Sequence, residues 1–205
     1  MKVLLINGSP HKDGCTATAL KEVADTLNKN GIDTLKIDLG TETIPDCIAC
    51  KSCVGKGKCF VNDRVNEVRD MLPELDGIVV GSPVYYAGPS SNLTAFLDRL
   101  FYSGRGFEGK VGAAVVSCRR GGASAAFDRL NKYFQINCMP VASSQYWNQV
   151  HGSCKEDVLK DEEGMQTMRT LGENISWLIK CIKSGKENGI ILPEREPQIR
   201  TNFIK

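Results

Sequence analysis

Lys2-Val3-Leu4-Leu5-Ile6-Asn7-Gly8-Ser9-Pro10-His11-Lys12-Asp13-Gly14-Cys15-Thr16-Ala17 opens the chain with an apolar run that breaks at once into a glycine-bearing polar turn. Val3 to Ile6 has the length and continuity of a strand buried on both faces. From Thr16 to Asn30 a helix is predicted, because Leu20, Val23, Ala24 and Leu27 recur at helical spacing. Gly31 stands where a left-handed residue ends such a helix. Strand, glycine turn and helix in that order are the first part of a β-α-β unit, and such units build parallel sheets.

The same alternation continues outward from this start. Strands are predicted at Ile32–Leu39, Ile78–Val80, Val111–Ser117 and Met139–Ala142. Helices are predicted near Asn62–Leu72, Asn92–Tyr102 and Ala123–Phe134. A last helix lines up Met165, Met168, Leu171, Ile175, Leu178 and Ile182 on one face. No internal repeat is present. Five β-α units predict one α/β domain over residues 1–185, a three-layer α/β/α sandwich around a five-stranded parallel sheet of order 2-1-3-4-5. Residues 186–205 read as a tail, with Pro193 and Pro197 opposing regular structure. Ligands of such sheets bind beyond the carboxyl ends of the strands, so the loops after strands one to four are the candidate site.

Composition narrows the function classes. A chain of 205 residues with 41% hydrophobic and 24% charged residues is an ordinary globular domain, not a disordered or fibrous one. A net charge of +2 gives no sign of a nucleic-acid partner. No apolar run approaches the roughly 18 residues of a membrane span. The polar, glycine-bearing start predicts no secretory leader and a cytoplasmic location. Nine cysteines are then unusual, and clustered thiols in a reducing compartment more often bind metal or do redox chemistry than form disulfides.

The first loop suits one phosphate. Its glycines let N–H groups turn toward an anion, Ser9 and Thr16 add hydroxyls, and the helix start adds partial positive charge. It is neither a P-loop nor a dinucleotide fingerprint. The third loop, Gly81-Ser82-Pro83-Val84-Tyr85-Tyr86-Ala87-Gly88-Pro89-Ser90, places apolar and aromatic groups on a tight turn. The fourth, from Ser117, carries Arg119-Arg120-Gly121-Gly122.

Together these three loops, with Leu97-Asp98-Arg99 after the third, resemble the flavodoxin-fold NAD(P)H-dependent FMN reductases over about residues 1–185. The first loop departs from that pattern, with His11 where an arginine is usual and Cys15 where an asparagine is usual. The resemblance implies an FMN phosphate held by Ser9, His11, Cys15, Thr16 and Ala17. It implies an isoalloxazine ring packed by Pro83, Val84, Tyr85, Tyr86, Ala87 and Gly88, with Ser117, Arg119, Arg120 and Gly121 on the third flavin loop. The arginine pair admits three readings: charge near the pyrimidine end of the ring, a contact to the 2′-phosphate of NADPH, or solvated surface. No catalytic side chain is required, because the flavin does the chemistry.

The loop inserted at residues 45–62 is the most telling segment. Cys47, Cys50, Cys53 and Cys59 are spaced C-x2-C-x2-C-x5-C. Three closely spaced thiolates and a glycine-bearing return resemble the ferredoxin ligand run, and Lys51, Lys56 and Lys58 would offset the charge. Structural zinc normally uses two pairs set further apart. Among flavodoxin-fold proteins the loop resembles the [4Fe–4S] motif of iron–sulfur flavoproteins; free thiols in a packed lid, or zinc or a disulfide, are the other readings.

The expected activity is electron passage from NAD(P)H or a low-potential carrier through FMN to a small acceptor, such as a quinone, nitro compound or metal ion. An electron carrier with no small-molecule substrate, served by a ferredoxin-like donor, is the alternative. A flavin-free binding module is the third. Tyr85, Tyr86, Phe101, Tyr102, Tyr146 and Trp147, together with the resemblance, predict a homodimer or homotetramer.

Overall fold

The computed structural model describes residues 1–197, 199–201 and 203. Strands β1 (Lys2–Asn7), β2 (Asp33–Asp38), β3 (Gly77–Pro83), β4 (Val111–Cys118) and β5 (Gln149–His151) form one parallel sheet of order β2-β1-β3-β4-β5. Between them run α1 (Cys15–Lys29), α2 (Arg64–Met71), α3 (Ser91–Ser103) and α4 (Ala123–Ile136), followed by the short α5 (Lys155–Val158) and long α6 (Glu162–Glu187). The architecture is a flavodoxin-like α/β/α sandwich. Among the described residues no helix is long and apolar enough to cross a membrane.

Strand parity assigns the two cores. Leu4, Ile6, Ile78, Val80, Ala114 and Val116 point to the face covered by α2, α3 and α4, where Val65, Phe96, Leu100 and Phe134 meet them. Val3, Leu5, Val79, Ala113 and Val115 point to the other face, under Leu20, Val23 and Leu27 of α1 and Met168, Leu171 and Ile175 of α6. The central strands β3 and β4 are buried on both faces, which is why they read as unbroken apolar runs.

The sheet edge differs from expectation. Met139–Ala142 is not the fifth strand: it makes one bridge, Val141 to Gly112, held by Gly112 N–H to Pro140 O at 2.8 Å and Ala142 N–H to Gly112 O at 2.9 Å. Pro140 has no N–H to extend a ladder. The chain then leaves the edge, and the pairing resumes at β5 beside Val116–Cys118. Asn148 bridges the gap, its side-chain amide donating to Ala114 O at 3.0 Å while its own carbonyl accepts from Val116 N–H at 3.0 Å. Tyr146 and Trp147 therefore lie before the fifth strand rather than after it.

The apolar face of α6 also shifts. Ile179, at the end of the fifth turn, is the last buried residue of the helix, and Ile182 beyond it is exposed. The helix ends at Glu187, two residues past the expected boundary, with Gly189 left-handed behind it. The described residues after it have no regular structure, yet Leu192 rests against Gly109.

Candidate functional site

The loops at the carboxyl edge enclose a cleft of about 580 Å³ between Ser9–Thr16, Pro83–Tyr85, Ser117–Arg119 and Gly152–Glu156. That volume lies within the range of small-molecule sites. Close backbone approach builds its floor. Gly8 N–H donates to Gly81 O at 2.8 Å, and a Cβ on Gly8 would stand 2.7 Å from Leu93 Cβ. Ser90 Oγ–H donates to Gly8 O at 2.6 Å, tying the third loop to the first.

The start of α1 is built for an anion. Gly14 is its cap, with no side-chain acceptor, and the first turn holds no acidic residue. Among the described residues the N–H groups of Cys15, Thr16 and Ala17 thus have no hydrogen-bond acceptor, and they stand at the positive end of the helix dipole. The starts of α3 and α4 are open in the same way, whereas α2 and α6 are capped by Asp63 and Asp161. Ser9 Oγ accepts from His11 N–H at 3.1 Å and keeps its own proton to donate. Thr16 and Ser117 hydroxyls pair at 2.8 Å, both buried; that bond uses one of their two protons and leaves the other free. Burial pushes the Cys15 thiol above its usual range, and the thiol lies 3.6 Å from Gly152 O.

The third loop is strained where the ring edge was expected. Tyr85 and Gly88 exchange both backbone hydrogen bonds at 2.9 Å, and Tyr86 and Ala87 between them have φ of 48° and 59°. Both residues thus take the left-handed conformation of a two-residue hairpin turn that favours Asn and Gly. Val84, Tyr85 and Gly88 N–H groups are spent on protein partners, while those of Tyr86 and Ala87 have none among the described residues. Gly122, at φ 88°, lets the fourth loop press against this turn: a Cβ there would stand 2.9 Å from Ala87 Cα.

Of the residues expected from sequence, Ser9, His11, Cys15, Thr16, Pro83, Val84, Tyr85, Ser117 and Arg119 line this cleft. Ala17, Tyr86, Ala87, Gly88, Arg120 and Gly121 lie outside its lining, the middle three on the rim as the turn itself. Sequence reasoning missed the fourth wall, Gly152–Glu156, because it follows the displaced β5. There Lys155 Nζ pairs with Asp13 at 2.6 Å across the cleft mouth.

The four cysteines of the inserted loop line a second, small pocket with Ile48, Phe60, Val61 and Tyr102. Ala49 and Lys51, at φ 53° and 59°, bend the chain on either side of Cys50. Burial raises the Cys53 thiol, and the neighbouring Cys59, Cys47 and Cys50 add to it. Ser52 hydrogen bonds hold Cys50 below the usual thiol range. Among the described residues, no three His, Cys, Asp or Glu side chains converge on a single metal ion. Four thiols around one small pocket are the all-thiolate donor set that iron–sulfur clusters use, so the residues present fit such a group.

The return limb of this loop is the rigid one. Asn66 of α2 takes both backbone groups of Cys59, accepting from its N–H at 3.0 Å and donating to its O at 2.9 Å. Arg69 Nε donates to Gly57 O at 2.9 Å. Lys58 pairs with Asp70 at 2.7 Å, so it is committed to α2 rather than to the cysteines.

A family model described as NADPH-dependent FMN reductase matches residues 1–152. The chain belongs to that family. Among curated relatives, an iron–sulfur flavoprotein of Methanocaldococcus jannaschii is 34% identical over 192 residues, covering 89% of this chain and 100% of that protein. An iron–sulfur flavoprotein of Methanosarcina thermophila is 25% identical over 91% of this chain and 100% of its own length. A solved flavodoxin from the domain Archaea superposes with a TM-score of 0.60 at 18% identity, over 88% of this chain and 99% of that one. That likeness bears on the fold. Membership of the FMN reductase family and the iron–sulfur flavoprotein relatives support a redox role carried by a flavin.

Proposed function

We propose that this chain is an FMN-dependent oxidoreductase that takes electrons from NAD(P)H or a low-potential carrier. It passes them to a small acceptor such as a quinone, a nitro compound or a metal ion. The observation that carries the reading is the uncapped start of α1, whose unpartnered N–H groups open onto the cleft floor beside two buried hydroxyls. FMN when bound supplies the hydride and single-electron chemistry. Cys15, Thr16 and Ala17 N–H groups, with the free protons of Ser9 and the Thr16–Ser117 pair, bind its phosphate. Tyr86 and Ala87 N–H groups orient the ring edge, and Val84 and Tyr85 exclude water from one face. Arg119 adds positive charge at the cleft wall.

The inserted loop is read as the holder of a [4Fe–4S] cluster on Cys47, Cys50, Cys53 and Cys59. The pocket they share and the iron–sulfur flavoprotein relatives support this. The cluster when bound supplies one-electron transfer. An anaerobic absorption spectrum with iron and acid-labile sulfide per chain tests both cofactors, and NAD(P)H oxidation with added acceptors tests turnover. Flavin without steady turnover would favour the carrier reading. That reading draws support from the exposure of Cys47 and Cys50, which suits exchange with a ferredoxin-like protein.

A homodimer or homotetramer is the assembly this reading expects. Tyr85, Tyr86, Tyr102, Tyr146 and Trp147 are all exposed, whereas Phe101 is a core residue stacked between Phe107 and Tyr133 and contributes nothing to that surface. Light scattering of the FMN-bound protein at micromolar concentration checks it; a monomer refutes it.

A further inference from the structure

Arg99 is the largest side chain that the fold buries completely. A guanidinium has five N–H bonds, and all five are used. Its Nη1 reaches Asp63 at 2.6 Å and Pro45 O at 3.4 Å; its Nη2 reaches Asp63 at 2.9 Å and Val61 O at 3.2 Å. Its Nε donates to Cys59 Sγ at 3.4 Å. Pro45 and Asp63 bracket the inserted loop, so one side chain from α3 ties both of its ends to that helix and touches one of its thiols. The Asp63 carboxylate also caps α2, accepting from Val65 N–H at 3.1 Å, and α2 carries the Asn66 clamp on Cys59. A buried cation is costly unless paired and fully hydrogen-bonded. Here the pairing is complete, and the one donor not spent on oxygen is aimed at sulfur.

We propose that Arg99 is the positioning residue of the cysteine centre: it fixes the Cys59 ligand and donates a hydrogen bond to its sulfur, which favours the reduced cluster. This rests on the reading that the loop holds a [4Fe–4S] cluster. Adding an electron raises the negative charge on the ligand sulfurs, and a hydrogen-bond donor on a ligand sulfur offsets that charge. The lysines of the loop do not have this geometry: Lys58 is paired with Asp70, and Lys51 and Lys56 are exposed. Asp63 moderates the effect, since its carboxylate neutralises most of the guanidinium charge.

Two variants separate tuning from mere support. Arg99→Lys keeps a cation for Asp63 but loses the planar fork and the Nε donor. With the cluster reconstituted anaerobically, its one-electron reduction equilibrium should fall about tenfold, which is about 59 mV. Asp63→Asn keeps an α2 cap and frees the guanidinium charge, so the same equilibrium should move the opposite way. The FMN potential should stay fixed in both. In cluster-free protein, iodoacetamide should label Cys59 about tenfold more slowly than Cys47, and Arg99→Lys should remove that protection. Cluster potentials and Cys59 labelling unchanged in both variants would overturn the proposal. Should Arg99→Lys not fold, Asp63→Asn decides alone by the sign of its shift. Wild-type protein that holds no iron or sulfide after reconstitution removes the cluster reading itself; Cys59 labelling then still decides whether Arg99 fixes that residue.

Discussion

The hydroxyl pair of Thr16 and Ser117 gives the phosphate site a signature that can be measured. The two oxygens lie 2.8 Å apart and are buried, so one proton joins them and one is left for a ligand. Removing either hydroxyl alone leaves one proton and one oxygen facing the cleft. Thr16→Val, close in shape, should therefore weaken FMN binding by only about 1 kcal/mol, roughly fivefold, the scale of one neutral hydrogen bond. Ser117→Ala should cost no more than that. The double variant removes the last donor to a charged oxygen, and such a bond is worth about 1.5–3 kcal/mol. Its total loss should reach about 2–3 kcal/mol, or roughly 30- to 150-fold in Kd, more than the two single losses allow if they simply added. Quenching of flavin fluorescence measures all four affinities. Riboflavin, which lacks the phosphate, should bind wild type and double variant within twofold of each other. An equal loss for riboflavin and FMN would refute the phosphate assignment, and so would a double variant with unchanged FMN affinity.

Other perturbations read other parts of the molecule. Cys53→Ala should lose most of the iron after anaerobic reconstitution yet keep FMN, because the flavin loops lie elsewhere in the chain; iron and flavin are counted per chain. Gly81→Ala would place a Cβ 2.7 Å from Leu20 Cδ1 and 2.9 Å from Thr16 Cγ2. The overpacking should cost about 1–3 kcal/mol, seen as a lower Tm, and should weaken FMN binding through Thr16. Tyr133 is held protonated above the usual phenol range, first by burial and then by its hydrogen bond to Asp98. The unfolded chain loses that proton near pH 10 while the folded one keeps it, so stability contributed by this group is present below about pH 10 and falls above it. Urea midpoints at about pH 8 and pH 10.5 should therefore drop less for Tyr133→Phe than for wild type.

The parts legible in the sequence are those set by local pattern. Val3–Ile6 and Val111–Ser117 read as strands because β1 and β4 have both faces covered, and Gly31 marked the end of α1 because its φ of 77° needs no Cβ. The edge strand was misplaced because its pairing is not a backbone property alone. Pro140 stops one short stretch, and the side chain of Asn148 restores the ladder further on. No periodicity signals that substitution. The same displacement hid Gly152–Glu156, the fourth wall of the cleft.

Arg99 shows a second kind of blindness. In sequence it is one residue of Leu97-Asp98-Arg99, where it counts only toward the resemblance of the third loop and its helix to the FMN reductases. Only the tertiary packing brings Pro45, Cys59, Val61 and Asp63 around it. The lysines nearest the cysteines in sequence read as their counter-charge, yet the cation that touches Cys59 comes from α3, forty residues on. Sequence spacing points to candidate ligands where, as with Cys47, Cys50, Cys53 and Cys59, they are close neighbours in the chain. Groups that would tune such ligands need only share a core, and any element that packs there can supply them.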